Sequence, residues 1–273
     1  MTSIAVPAPS AEIAEEALAP APRRLEPETP IIFVVPAYNE EENIPRLLED
    51  LEARPRLFPP ESRILVVDDG SQDGTAGVVE EYGGPLPLEL IRLERNQGPG
   101  AAFRAGFAAA LDRCPEEALV VTLEADTTSD LDALPVMIER AAAGAELVLA
   151  SWVMVNVSRL RRTLSEGAGW VVRRSLGLQA TTVSSFFRVY RASILRAGFE
   201  SYGDSLIRER GFACKAEILA KLAEIGARIE EVPVGLDTTR RVGKSKMPIF
   251  RTILAYWRMV ARHRNAARGA AQT

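Results

Sequence analysis

Short unbroken apolar runs alternate with amphipathic stretches through the first half of the chain. The first is "IIFVVPAYNEE", in which Ile31 to Val35 is apolar throughout, as in a strand covered on both faces. Asn39 is placed to cap a helix that carries Leu47, Leu48 and Leu51. The order then repeats. "RILVVDDGSQDGT" predicts a strand, an acidic turn and a helix start, and "LELIRLERNQGPGAAFRAGFAAAL" a strand, a Gly-rich turn and an Ala-rich helix. "EALVVTLEADTTSDLDALPVMIERAAAG" repeats the unit, and "AELVLASWV" predicts a fifth strand. Such alternation argues for right-handed crossovers and an α/β fold with a mostly parallel sheet flanked by helices.

The second half is less regular. "RRTLSEGAGWVVRRSLGL" reads as a helix, "TTVSSFFRVYRASIL" as a short strand or loop leading into a helix, and "GFACKAEILAKLAEIG" as a clear helix before the strand "ARIEEVPVGL". A basic loop, "TTRRVGKSKMP", precedes a last segment in which Ile249, Phe250, Ile253, Leu254, Trp257 and Val260 line one helical face. The expected division is a disordered leader over 1–29, one domain over 30–247, and a basic amphipathic helix and tail over 248–273.

Composition narrows the class. With 47% hydrophobic and 26% charged residues in 273, the chain reads as an ordinary globular protein. No stretch approaches the ~20 apolar residues of a membrane-spanning helix, and the N-terminal stretch does not read as a secretory signal. Two cysteines, Cys114 and Cys214, give no disulfide framework, which fits a reducing cytoplasm. The net charge of -4 hides an asymmetry: from Arg240 onward there are nine Lys or Arg and no acid. A basic end on an acidic protein points to an anionic surface, membrane lipid before nucleic acid. The last helix then either lies in lipid headgroups or packs on the domain.

Ligands of a parallel sheet bind outside the carboxyl ends of its strands, and the unusual residues of the first half all fall there: Tyr38 to Glu40, Asp68 to Ser71, Asn96 to Gly100 and Glu124 to Thr128. Two carboxylates two apart in "EAD" can both turn toward one hard cation. They can equally be turn acids, with Ser129 or Asp130 capping the next helix. In "VVDDGSQDGT", adjacent acids offer acceptors for ring nitrogens or hydroxyls, and Gly70 allows close backbone approach to a ligand; Asp73 and Gly74 can be a turn and cap. "RNQGPGAAFRAG" is either a phosphate-type glycine loop or a turn with a tightly packed helix, and its spacing is not that of the dinucleotide fingerprint.

Together, "PAYNEE", "VVDDGSQDGT", "RNQGPGAA" and "EAD" resemble the inverting family 2 glycosyltransferases, in this order and spacing from about Ile31 to Val153. "SSFFRVYR" and "RRVGKSKM" are similar to elements of the dolichyl- and polyprenyl-phosphate mannosyltransferase branch. The resemblance implies a GT-A (Rossmann-like) fold and inverting transfer of a hexose, mannose first, from GDP-mannose or UDP-glucose to a polyprenyl phosphate. It implies a peripheral place on the cytoplasmic membrane face and no nucleic-acid partner. Pro36, Ala37, Tyr38 and Glu40 would border the nucleoside, with Asp68 near the base and Asp69 close by. Glu124 and Asp126 match the D-x-D whose acids bind the Mg2+ or Mn2+ that bridges the donor diphosphate. Arg240, Arg241, Lys244 and Lys246 would close over phosphates about Gly243, and Arg161, Ser165, Ser185 and Arg188 would anchor the acceptor, with Asp126 catalytic.

The single histidine, His263, lies in the basic tail, so no histidine is expected as general base. An anionic phosphate acceptor needs none, whereas a hydroxyl acceptor would need a carboxylate. A soluble transferase acting on a hydroxyl, and a catalytically silent sugar-nucleotide binding module, are the competing readings. Three departures bear on them: Glu124 replaces an Asp, Thr128 stands where the branch often has Gln, and "SWVMVNVS" replaces an Arg-containing element.

Overall fold

The computed structural model describes residues 28–153, 182–183, 185–235, 252, 254–259 and 261. Seven strands form one sheet in the order β3-β2-β1-β4-β6-β5-β7. The strands are β1 (Ile31–Ala37), β2 (Arg63–Asp68), β3 (Leu88–Arg92), β4 (Leu119–Thr122), β5 (Leu147–Val153), β6 (Arg188–Arg191) and β7 (Ile229–Gly235). All neighbours run parallel except β6, which lies antiparallel to both β4 and β5. The five strands expected in the first half are present, and "RVYR", read as strand or loop, is the strand that fills the sheet between β4 and β5.

The helices are α1 (Ile44–Glu52), α2 (Thr75–Glu80), α3 (Pro99–Arg113), α4 (Leu134–Ala142), α5 (Ala192–Tyr202) and α6 (Cys214–Glu224). The apolar runs are unbroken because both faces are covered. Ile32, Val34, Leu65, Val67 and Val120 join the cluster beneath α3, α5 and α6, while Ile31, Phe33, Val35, Ile64, Val66 and Val121 join the one beneath α1 and α4. At roughly 1.5–3 kcal/mol for each fully buried aliphatic side chain, these central strands hold the sheet together.

Pro36 sits two residues past Val34, whose carbonyl accepts the last bond from β4, at Leu123 N. The β1–β4 pairing ends at Val34↔Thr122, so the missing N–H of Pro36 costs no ladder bond. It leaves β1 and β4 diverging at their carboxyl ends. That is also where the chain order reverses direction across the sheet, the crevice in which such folds bind ligands.

Asn39 does not cap α1. Its backbone is left-handed at φ 53, and Asn43 precedes the helix without a side-chain cap bond. The leader 1–27, the segment 154–181 with Arg161 and Ser165, and the basic loop with Arg240, Arg241, Lys244 and Lys246 lie outside the described residues.

Candidate active site

Two acidic turns, after β1 and β2, are tied to each other. Asn39 N donates to Ser71 Oγ (2.9 Å), and Gln72 N donates to Asn39 Oδ1 (2.8 Å). Glu40 N donates to Thr75 Oγ1 (2.7 Å), and Gly74 N to Glu41 Oε2 (2.6 Å). Asp73 accepts from Thr75 N at 3.0 Å and from Glu41 N at 3.3 Å, so the turn-and-cap reading of Asp73 holds. Side chains here satisfy backbone amides that an irregular segment would otherwise leave open. The result is a rigid rim carrying Pro36, Ala37, Tyr38 and Glu40 along one side.

Asp68 and Asp69 divide the work. Asp69 is 3% exposed, and its carboxylate accepts from Gln97 N (2.8 Å) and Gly98 N (2.7 Å). Burial pushes its carboxyl up, against the pull of those two amides, and Asp68 pushes the same way as burial. Asp68 is fully buried; Oδ1 accepts from Ser71 N at 2.8 Å, while Oδ2 has no hydrogen-bond partner. Arg92 Nε stands 3.7 Å from Oδ2, an ion pair too long to be a hydrogen bond. That oxygen is itself buried at the end of β2.

The glycines serve the fold here. Gly70, at φ 68, faces the backbone of Arg95 and Asn96, and a Cβ at Gly98 or Gly100 would overlap the carbonyl oxygens of Arg210 and Glu209. Gly100 N donates to Arg210 O at 2.8 Å. The close approach is chain to chain, as the packed-turn reading of "RNQGPG" expects. Glu217 fixes the far side, accepting from Arg208 N (2.8 Å) and Glu209 N (2.7 Å).

Beyond β4, the segment from Asp126 to Ser129 is buried, with Asp126 9% and Thr128 2% exposed. Thr128 Oγ1 stands 2.7 Å from Asp126 Oδ1 and 3.3 Å from Glu124 Oε2. A hydroxyl donates to one oxygen at a time, so two carboxylates converge on one point with a single proton between them. That donor set, all oxygen and doubly anionic, fits a hard divalent cation that takes its other ligands from water and phosphate. Among the described residues no group of three or more His, Cys, Asp or Glu gathers as a metal cage. Asp130 caps the turn ahead of α4 by accepting from Asp132 N at 3.1 Å. The capping reading therefore describes Asp130, and the buried Asp126 differs from a solvated turn acid.

Arg188, expected in an anchoring loop, lies in β6 and is 1% exposed. Strands on both sides turn its guanidinium inward, where it donates to Lys215 O (2.8 Å), Val183 O (3.2 Å) and Tyr190 Oη (3.4 Å). Ser185 is also buried and accepts from Phe187 N at 3.1 Å. Pattern reading missed Lys215, 4% exposed within the site wall. The signal was present: a lysine in the first turn of a helix runs against the helix dipole.

The last helical residues present an unexpected face. Thr252 and Met259 are buried, while Leu254 and Trp257 are 49% and 57% exposed. Those two belong to the apolar stripe expected from the sequence, and they point to solvent.

Residues 32–199 match the family described as Glycosyl transferase family 2. An undecaprenyl-phosphate mannosyltransferase from Micrococcus luteus is 32% identical over 223 residues, spanning 80% of this chain and 87% of that protein. A polyprenol monophosphomannose synthase from Mycolicibacterium smegmatis is 29% identical over 233 residues, spanning 83% and 84%. In fold, the chain is similar to glucosyl-3-phosphoglycerate synthase from Mycobacterium tuberculosis, solved with Mn2+, UDP-glucose and phosphoglyceric acid. The TM-score is 0.62 at 18% identity, covering 85% of this chain and 80% of that one.

Proposed function

The chain belongs to glycosyltransferase family 2 and has its GT-A fold, and we propose that it transfers a hexose, mannose first, from a nucleotide sugar to a polyprenyl monophosphate. The observation that carries the proposal is the convergence of Glu124 and Asp126 on the Thr128 hydroxyl at the carboxyl end of β4. The relatives named for undecaprenyl and polyprenol phosphate support the acceptor class.

The residues divide into binding and chemistry. The rim from Pro36 to Glu40 borders the nucleoside, with Asp68 near the base. Asp69 holds the 97–98 backbone in place rather than touching the ligand. Glu124 and Asp126 would hold a Mg2+ or Mn2+ ion, which supplies neutralisation of the departing nucleoside diphosphate. The acceptor phosphate is already anionic and attacks without a general base. Its cationic anchors are assigned to Arg161 with Ser165, and the closure over the donor to Arg240 and Lys246. Arg188 acts on the site as a positioning residue, through Lys215 and Val183. Outward-facing Leu254 and Trp257 beside Arg258 suit lipid headgroups, which supports a peripheral place on the cytoplasmic membrane face, where a lipid acceptor would lie. No helix among the described residues is long and apolar enough to cross a membrane.

Radiolabelled sugar transfer tests the proposal. Purified protein with GDP-mannose or UDP-glucose, Mn2+ or Mg2+ and a short polyprenyl phosphate should label the organic phase. Asp126→Ala should lower the rate about a thousandfold, several kcal/mol of lost charge stabilisation, and EDTA should suppress it. Label on a hydroxyl acceptor alone would overturn the lipid assignment and leave the family.

A further inference from the structure

The chain between α5 and α6 runs as a short 3-10 turn, Gly203–Ile207, and then without regular structure through Arg210. Side chains of two helices hold its backbone. From α6, Lys221 donates to Ser205 O, and from α3, Arg104 donates to Ile207 O. Glu217 Oε2 accepts from both Arg208 N (2.8 Å) and Glu209 N (2.7 Å), while its Oε1 pairs with Lys221 at 2.6 Å. Gly100 N closes the series on Arg210 O at 2.8 Å.

Irregular backbone needs hydrogen-bond partners, which at a surface water can supply. Arg208 and Arg210 are exposed, yet the chain commits a carboxylate that is only 4% exposed to the amides beside them. Burying a charge is costly unless it is fully paired, and packing α5 on α6 does not call for one. What the held segment touches supplies the reason. The carbonyl oxygens of Arg210 and Glu209 stand so close to Gly98 and Gly100 that a Cβ at either glycine would overlap them. Asp69 binds the same turn from the end of β2, through Gln97 N and Gly98 N. Gly70, next to Asp69, lies against the backbone of Arg95 and Asn96. The turn 95–100 therefore has two supports, the acidic turn after β2 and the 208–210 segment fixed to α6.

We infer that Glu217 is a positioning residue for the nucleoside half of the donor site: it fixes 208–210 against the turn 95–100, and through that turn the Asp68–Gly70 backbone beside which the base would lie. The inference rests on the glycosyl-transfer reading above. Glu217 acts through backbone and does not touch the nucleotide. Once it is lost, the turn can drift and nucleoside affinity falls, whereas the carboxylates beyond β4 and the attacking phosphate stay as they were. The signature is a raised KM and Kd for the donor with kcat unchanged, as for any loss of binding common to ground and transition states.

The test uses the full chain, with GDP and UDP titrated by calorimetry in the presence of Mn2+. Glu217→Leu removes both acceptor oxygens and should weaken binding of the preferred nucleotide about tenfold, raising the donor KM alike and leaving kcat within about twofold. Glu217→Gln keeps one oxygen for the two backbone amides and should recover most of that loss. Arg191→Met, which strands the carbonyls of Ala141 and Ala145 beside α4, should also cost stability but leave the donor KM unchanged. Hydrogen exchange on wild-type protein tests the same contact without a variant: saturating nucleotide should slow the amides of 208–210 together with those of 95–100. Protection confined to 95–100 would overturn the inference and leave the transferase reading intact. So would a fall in kcat without a change in KM in Glu217→Leu, or an equal rise in KM in Arg191→Met. Absence of nucleoside diphosphate binding by the wild type would overturn both.

Discussion

The turns after β1 and β2 and the interior around β6 and α6 satisfy buried polar groups in opposite ways. In the turns, acceptor side chains such as Asn39, Glu41, Asp69 and Asp73 meet backbone N–H groups. On β6, cationic side chains meet backbone carbonyls instead: Arg188 reaches Lys215 and Val183, and Arg191 donates to Ala141 O at 2.6 Å and Ala145 O at 3.3 Å. The first arrangement spends its acceptors on backbone amides and leaves the buried Asp68 Oδ2 without a hydrogen-bond partner. The second places positive charge behind the carboxylates at the end of β4. On the proposed reading, recognition and charge balance are housed in different parts of the chain.

The contrast can be sharpened by removing one member at a time. Arg188→Met should cost the most stability, about 3 kcal/mol, because it strands buried carbonyls of Lys215 and Val183; urea unfolding measures it. Asp69→Asn keeps the shape but sets an amide NH2 against one of two backbone N–H donors. It should cost about 1–2 kcal/mol by the same assay, with a higher KM for the donor as the 97–98 backbone loosens.

A pH series then probes the β6–α6 interior alone. Burial pushes the Cys214 thiol from 9.0 up to about 12. Its folded value is raised, so its contribution is full below pH 9 and is lost as pH rises toward 12, because the unfolded chain loses the proton first. Wild-type stability should therefore fall above pH 9 by up to about 1.4 kcal/mol per unit relative to Cys214→Ala. The smallest stability effect belongs to Leu254→Ala with Trp257→Ala, within about 0.5 kcal/mol for exposed positions. That double variant should nonetheless lose about tenfold in binding to anionic vesicles by sedimentation, since the apolar area it removes is what the bilayer would bury.

The sheet was readable from apolar runs because burial on both faces leaves a simple one-dimensional mark, and the acids at strand ends were readable because nothing in a strand requires them. What failed to show was anything whose partner is remote in sequence. Gly70, Gly98 and Gly100 looked like ligand glycines, yet their close neighbours are other stretches of backbone, at 95–96 and 209–210. Arg188 read as an acceptor anchor, and it lies buried in β6, the strand inserted antiparallel between β4 and β5. Lys215 and Glu217 lie in a helix that reads as ordinary; their meaning comes from Phe186 and the amides of 208–209.

The antiparallel strand has a consequence for how the molecule is made. β6 occupies the gap between β4 and β5, yet it is synthesised after both. As the chain leaves the ribosome, β1 to β4 can assemble as a parallel sheet with the flank of β4 open, while β5 has no sheet to join. Only when residues 188–191 emerge does β4 gain its neighbour and β5 its docking edge, with β7 closing the far side last. Open edges are sites of mispairing between chains, and pairings distant in sequence form slowly. Refolding should accordingly pass through a species in which β1–β4 are protected from hydrogen exchange before β5 and β7, and truncation ahead of Arg188 should yield aggregates.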